Sequence, residues 1–174
     1  SSNMQAVKGR LQRKVGLNGA VLIDDTYNAN PDSMKAAIDA LKTFATHTIF
    51  VMGDMGELGI DSAQMHAEIG AYAKQQRINQ LMTFGELSQL ATRQFGINNQ
   101  DAPQNAQHFI SLESLIATLK ASMQPNVTVL VKGSRFMQME RVVNALELKP
   151  SLQKSETLRT ANLQANTKSS LGDE

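Results

Sequence analysis

Three polar, glycine-bearing stretches follow apolar runs in this chain, and they hold most of the side chains able to handle a charged small molecule. The first is Asp24-Asp25-Thr26-Tyr27-Asn28-Ala29-Asn30-Pro31. Two carboxylates leave an apolar run there, the Tyr27 ring could stack on a base, and the free backbone N–H groups of a helix start could receive an anion. Asn30 reads equally well as a plain helix cap, but one cap does not need Asp25 and Asn28 as well. The second stretch, Gly53-Asp54-Met55-Gly56-Glu57-Leu58-Gly59, has a glycine at every third position. It is not the dinucleotide fingerprint. Its glycines allow positive φ and close backbone approach. Asp54 and Glu57 could orient an ammonium group, or could be solvated acids in a strand-to-helix turn. The third, Lys132-Gly133-Ser134-Arg135, sets two cations around a glycine where the pattern predicts a helix start. Cations are disfavoured at the positive end of a helix dipole, so a carboxylate or phosphate is expected nearby, with ordinary surface charge as the alternative. His66, one turn into a predicted helix, is open to two readings: a hydrogen-bonded structural residue or a ligand contact. His47 and His108 lie at element edges and carry no pattern.

Several chemistries are excluded. The chain has no cysteine, so thiolate nucleophiles, disulfides and Cys-based metal sites are out. No His/Asp/Glu spacing suits a protein-only metal site, and no Ser/His/Asp arrangement is suggested. The phosphate-binding Gly-x-x-x-x-Gly-Lys-Ser/Thr loop is absent, so any ATP handling by these residues is incomplete. The formal charge is +1, without a basic run, which argues against a nucleic-acid surface. Nothing suggests membrane insertion. Residues Ser1 to Gly9 lack an apolar signal-peptide core, and the start without an initiator Met reads as an excised piece of a longer chain.

The elements that must position these residues alternate between apolar runs and helical periodicity, the pattern of an α/β domain with a mostly parallel sheet. Runs at residues 20–23, 48–52, 80–84 and 127–131, with a weaker one at 107–110, predict strands. A further segment, Arg10 to Val15, is predicted to pair antiparallel with Val21 to Asp24 across Leu17-Asn18-Gly19, since Asn-Gly is a strong turn signal. That makes about six strands. Asn30-Pro31 predicts the first helix, as N-cap and first helical residue. The second is expected from Asp61 or Ser62, with Met65, Ile69 and Tyr72 on one face. The third is expected from Glu86 to Phe95, and the fourth from Ser111 to before Pro125. The fifth is expected to follow Ser134 and to bury Met139, Val142, Val143 and Leu146. With 41% hydrophobic and only 5% aromatic residues, aliphatic side chains must fill the core. Ser151 to Glu174 has too little apolar content to offset its ordering entropy and is read as a polar tail, with at most a short helix around Leu158 to Leu163. In open parallel sheets ligands bind beyond the carboxyl ends of the strands, so the polar stretches should gather on one rim.

These stretches resemble the signatures of one family. The run from Asp24 to Met34 is similar to the segment opening the C-terminal domain of Mur-type peptide ligases, most closely those adding D-alanyl-D-alanine to the UDP-N-acetylmuramoyl-tripeptide. Val51 to Gly59 followed by His66 and Gly70 resembles a second signature, and Val129 to Arg135 followed by Met139 to Val143 a third. Gly9-Arg10-Leu11-Gln12 resembles the hinge entering this domain. The resemblance spans roughly Lys8 to Leu146.

It implies a Rossmann-like three-layer α/β/α domain with one antiparallel N-terminal strand. The expected organisation is a hinge or linker over residues 1–9, the domain over 10–149 and the tail over 150–174. It also implies ATP-dependent amide synthesis in cytoplasmic peptidoglycan assembly, with the phosphate loop and Mg²⁺ site on a central domain and the UDP-sugar site on an N-terminal domain. This piece alone would then be inactive, the enzyme a monomer, and its partners its own other domains, the tripeptide precursor and D-alanyl-D-alanine. By position, Arg10, Asp25, Tyr27 and Asn28 are expected at the nucleotide. Asp54, Glu57, His66, Lys132, Ser134 and Arg135 are expected at the substrate. No catalytic side chain and no metal ligand is expected within the domain. The nearest rival within the family is a diaminopimelate- or lysine-adding ligase, but the diaminopimelate enzymes carry Asp-Asn-Pro-Arg where this chain has Thr83-Phe84-Gly85-Glu86. The folylpolyglutamate synthetase relatives lack the Tyr-Asn-Ala-Asn run. A stand-alone nucleotide-binding or interaction module is the alternative from another class.

Overall fold

The computed structural model describes residues 7–96 and 105–171. Of the expected linker over 1–9, residues 1–6 lie outside the described residues, as do 172–174 of the expected tail. Six strands form one sheet: β1 (Gln12–Val15), β2 (Val21–Asp25), β3 (His47–Gly53), β4 (Gln80–Phe84), β5 (Ala106–Phe109) and β6 (Val127–Lys132). Their spatial order is β1-β2-β6-β3-β4-β5. β1 pairs antiparallel with β2, and the other pairs are parallel. The β1–β2 turn places Asn18 and Gly19 at positive φ (55° and 82°), as the Asn-Gly signal requires.

Side chains alternate across a strand, so each central strand feeds two cores. Leu22, Ile49, Val51, Met82, Val129 and Val131 face one side with α4 (Leu112–Ser122) and α5 (Glu140–Leu146). Ile23, Phe50, Met52, Leu81 and Leu130 face the other with α1 (Pro31–Leu41), α2 (Ser62–Gln75) and α3 (Ser88–Gly96). The result is the three-layer α/β/α sandwich. Asn30 caps α1: its side chain accepts from the Ser33 amide at 2.8 Å while Ser33 Oγ accepts from the Asn30 amide at 3.0 Å. Ser111 caps α4 in the same manner, accepting from the Ser114 amide at 3.1 Å.

Four details differ from the sequence reading. The buried face of α2 is His66, Ile69, Gly70 and Ala73, while Met65 and Tyr72 pack only at its margin. The cause is Gly70, whose missing side chain lets α3 lie against α2; a Cβ there would sit 2.6 Å from Ala91 Cα. α3 begins at Ser88, two residues beyond Glu86. The Lys132–Arg135 stretch does not open a helix. It leads into a 3-10 turn (Arg135–Met137), and α5 starts only at Glu140, with Met139, Val142, Val143 and Leu146 buried as expected. Residues 150–171 form one helix, α6 (Pro150–Leu171). The described side chains of residues 150–170 are all exposed, so the absence of a core was legible. The helix was not, because a helix satisfies its own backbone. Its 22 residues, opened by Pro150, exceed the roughly 12–15 below which helices are marginal.

Two ionisable side chains are perturbed. Tyr72 donates to Asp39 Oδ1 at 2.6 Å, and that bond holds its pKa above the usual tyrosine value. Burial pushes the His108 imidazole below its ordinary range; the Asp54 charge opposes this and Arg93 adds to it. Gly70→Ala is expected to lower stability by about 3 kcal/mol, since overpacking against backbone cannot be relieved by a rotamer change. Urea unfolding of the two proteins checks this, and an unchanged midpoint would rule out the tight α2–α3 contact.

Candidate functional site

The carboxyl ends of β2, β3 and β6 are adjacent, and the residues that follow them are stitched together by buried polar contacts. Lys132 is the last residue of β6 and stands in register with Asp25, the last of β2. Its Nζ lies 3.0 Å from Asp25 Oδ2 and donates to the Asn28 carbonyl at 2.9 Å, with both charged side chains buried. Asp25 Oδ1 accepts from the Leu11 amide at 3.1 Å, which ties the segment before β1 to the same carboxylate. Tyr27 N–H donates to the Gly9 carbonyl at 2.9 Å. Gly9 has φ +75°, which strains any other residue, and a Cβ there would press on the Tyr27 nitrogen at 3.1 Å, so both favour glycine. This clamp brings the Arg10 guanidinium over the Tyr27 ring, 4.5 Å from its centroid. A cavity of about 310 Å³ opens here, lined among others by Arg10, Asp25, Tyr27, Asn28 and Lys132.

Ser134 forms the second junction. Its amide donates to the Asp54 carbonyl at 2.9 Å, its Oγ accepts from the Gly56 amide at 2.7 Å, and its hydroxyl lies 3.5 Å from the Ala29 carbonyl. One buried hydroxyl thus touches all three polar stretches. The approach is possible because Gly53 and Gly133 leave room for Met139: a Cβ on either would lie 2.8 or 2.7 Å from that side chain. Beside Ser134 a wider cavity of about 740 Å³ is lined by Asn28 to Asn30, Gly56 to Leu58, Ser134 to Phe136 and Gln138. The two cavities share Asn28, Ala29 and Asn30, so Tyr27, Glu57 and Lys132 lie along one rim.

The structure sorts the expected site residues. Arg10, Asp25, Tyr27, Asn28 and Lys132 line the first cavity; Asn28, Glu57, Ser134 and Arg135 line the second. Glu57 is exposed, takes no hydrogen bond or ion pair among the described residues, and holds φ +58°. Such a backbone costs a non-glycine residue energy and is found where a side chain must be aimed. Asp54 faces away from both cavities. Its Oδ1 accepts from the Ser88 amide at 2.8 Å and the Ser88 hydroxyl at 2.6 Å, and its Oδ2 from the Leu87 amide at 3.2 Å. It therefore secures the start of α3, and its carboxylate is spent there. His66 is fully buried: its Nε2 accepts from the Met55 amide at 2.9 Å and its Nδ1 lies 2.6 Å from the Ser62 carbonyl. That fixes a neutral ring with the proton on Nδ1 and leaves no polar atom for a substrate, so His66 shapes the second loop from behind. The anions expected beside the two cations belong to the protein itself, Asp25 for Lys132 and Glu140 for Arg135. Sequence reasoning missed Leu11, Phe136 and Glu140. Only Glu140 carried a signal, as the acid five residues after Arg135. Among the described residues no group of three or more His, Asp or Glu could hold a metal ion.

The fold agrees with the comparisons with known proteins. A family model, "Mur ligase, glutamate ligase domain", matches residues 9–135, which holds both cavities except Phe136 and Gln138. The chain belongs to the Mur ligase family. It is 36% identical over 148 residues to the UDP-N-acetylmuramoyl-tripeptide–D-alanyl-D-alanine ligase of Escherichia coli (strain K12), covering 84% of this chain and 31% of that protein. It is 37% identical over 142 residues to the ligase of the same name from Buchnera aphidicola subsp. Acyrthosiphon pisum, covering 80% and 30%. Among solved structures, the MurF ligase from Thermotoga maritima in complex with ADP superposes with a TM-score of 0.69 at 25% identity, covering 83% of this chain and 31% of that one. The chain thus spans a little under a third of the length of these relatives. The mixed, mostly parallel sheet is the one the sequence pattern predicts, and the three-layer arrangement of this Mur ligase domain is the one the resemblance implies.

Lys132→Met is expected to cost about 3–5 kcal/mol by leaving Asp25 buried and unpaired. Adding Asp25→Asn should return most of that loss. Denaturant unfolding of the three proteins tests it, and equal stability of the single and double variants would dismiss the pair as a structural tie.

Proposed function

We propose that this chain is the C-terminal domain of an ATP-dependent ligase that joins D-alanyl-D-alanine to the UDP-N-acetylmuramoyl-tripeptide in peptidoglycan precursor synthesis. The observation that carries this reading is the pair of adjoining cavities, one opening at the segment that enters the domain and one walled by Glu57 and Arg135. The names of the relatives, and the ADP in the Thermotoga maritima structure, support it.

In this reading the first cavity covers the nucleotide. Tyr27 offers a ring face to the base, Asp25 and Asn28 offer acceptors and donors to the ribose, and Arg10 leaves the ring to meet phosphate. The second cavity holds the dipeptide, with the Glu57 carboxylate toward its ammonium and the Arg135 guanidinium toward its carboxylate. Asp54, His66 and Ser134 shape the loops without touching ligand, and Lys132 anchors the rim. The tripeptide carboxylate attacks the γ-phosphorus of ATP, releasing ADP and forming an acyl phosphate. The dipeptide amine attacks the acyl carbon and loses a proton, and the tetrahedral intermediate expels phosphate to leave the amide. Such a reaction depends on positioning and charge neutralisation, which suits a rim of ion handles with no nucleophile. The phosphate loop, and the Mg²⁺ that travels with ATP, belong to a central domain outside this sequence, and the precursor's sugar end to an N-terminal domain. The whole enzyme works as a cytoplasmic monomer. For the chain itself, no helix among the described residues is long and apolar enough to cross a membrane.

Steady-state kinetics of the full-length ligase test the assignment. Tyr27→Ala is expected to raise KM for ATP about tenfold while KM for the dipeptide holds, an effect of roughly 1.4 kcal/mol. Arg135→Ala should do the reverse. The isolated chain should form no amide product from precursor, dipeptide and ATP. Turnover by the isolated chain, or the two variants changing both constants together, would refute the division of the rim.

A further inference from the structure

One buried side-chain oxygen among the described residues lacks any hydrogen-bond partner: Glu140 Oε2. Its sister oxygen, Oε1, is bound by Arg135 Nη2. The Glu140 side chain is 34% exposed, but this oxygen itself is covered, and a covered carboxylate oxygen without a donor calls for a reason. The backbone goes to some length to keep the acid where it is. After the 3-10 turn at Arg135–Met137, Gln138 takes φ +50°, a conformation a non-glycine residue adopts only at a cost, and so turns the chain back on itself. Arg141 locks that turn, its Nε donating to the Gln138 carbonyl at 3.0 Å and its Nη2 to the Met137 carbonyl at 2.9 Å. Met139, wedged against Gly53 and Gly133, fixes the next residue. Glu140 is thereby returned to Arg135 from behind. Arg135 lines the wider cavity and Glu140 does not.

We infer that Glu140 is the positioning residue for Arg135, and that their fork, joined through Glu140 Oε1, gains its second bond through Oε2 when a ligand carboxylate takes the exposed edge of the guanidinium. A guanidinium presents paired N–H groups on more than one edge, so it can bind two carboxylates at once, each by two parallel bonds. The Arg135 side chain is 53% exposed, which leaves an edge open toward the cavity. With Glu140 behind it, the arginine is aimed instead of sampling its many rotamers, and the orphan oxygen is the half of the pair completed on binding. This deepens the dipeptide reading of the cavity and rests on it.

The test is a titration of the isotope-labelled chain with D-alanyl-D-alanine and, separately, with D-alanyl-D-alaninamide, which lacks the carboxylate, following the Gly56 amide by NMR. The wild type should bind the acid about tenfold more tightly than the amide. Glu140→Gln should weaken the acid about five- to tenfold and leave the amide unchanged. Glu140→Asp, which keeps a charge in the first turn of α5 but is too short to reach Arg135, should do the same. Adding Glu140→Gln to Arg135→Ala should weaken the acid no further than Arg135→Ala alone. Circular dichroism at each step confirms that the variants are folded. Equal losses for acid and amide, or a Glu140→Asp variant that binds like wild type, would overturn the positioning role while leaving the cavity's reading intact. A wild-type chain that binds neither ligand, or does not prefer the acid, would overturn the cavity's reading and this inference with it.

Discussion

The site hangs on a buried ion pair between two neighbouring strands. Lys132 and Asp25 end β6 and β2 in the same register, and neither charge reaches water to any extent. Removing two charges from solvent is expensive, and their attraction offsets that only when the remaining donors and acceptors are used. Here they are. Lys132 also serves the Asn28 carbonyl, and Asp25 also serves the Leu11 amide. The pair therefore does more than neutralise itself. It sets the course of the first polar loop from one side and holds the entering segment from the other, so the place where the chain comes into the domain is mechanically joined to the rim. A hydrophobic pair of equal volume could fill the space, but it could not fix the Leu11 amide or the Asn28 carbonyl.

Ser134 repeats the principle with a neutral group. Three loops distant in sequence meet because one side chain supplies both a donor and an acceptor, and because glycines at 53, 56 and 133 let backbone come close. The packing sets the choice of residue. At Gly56 a Cβ would stand 3.0 Å from the Phe136 ring, so the glycine lets the aromatic wall of the wider cavity lie close over this loop. The glycine spacing that looks like a weak nucleotide motif in the sequence is thus largely explained by what passes over it.

What could be read from the sequence, and what could not, follows from how local each cause is. Continuous apolar runs, the Asn30-Pro31 cap and the Asn18-Gly19 turn are set within a few residues, and strands, α1 and the antiparallel β1 appear where those signals put them. The gathering of the polar stretches on one rim was also legible, since it needs only a parallel sheet. The roles of individual side chains were not. Asp54 reads as a ligand handle until α3 supplies Leu87 and Ser88, thirty-three and thirty-four residues away. His66 stays ambiguous until the Met55 amide is seen to end on its ring. The dipole argument at Lys132–Arg135 assumed a helix that starts five residues later, at Glu140. Each of the two cations there pairs with an acid of the protein itself, Asp25 or Glu140.

The residues with unusual backbone complete the picture. Among the described residues, Leu11, Asn18, Glu57, Arg77 and Gln138 are the non-glycines at positive φ. Asn18 belongs to a turn, and Arg77 follows the end of α2. The other three line the two cavities. Strain of about 1–3 kcal/mol per residue persists only where the surroundings overdetermine it. Here those surroundings are the Asp25 carboxylate for Leu11, the Ser134 junction beside Glu57 and the Arg141 lock on Gln138. Rigid strands carry the anchors, and the strained residues are confined to the loops, where fixing a side chain's direction is worth the loss of stability.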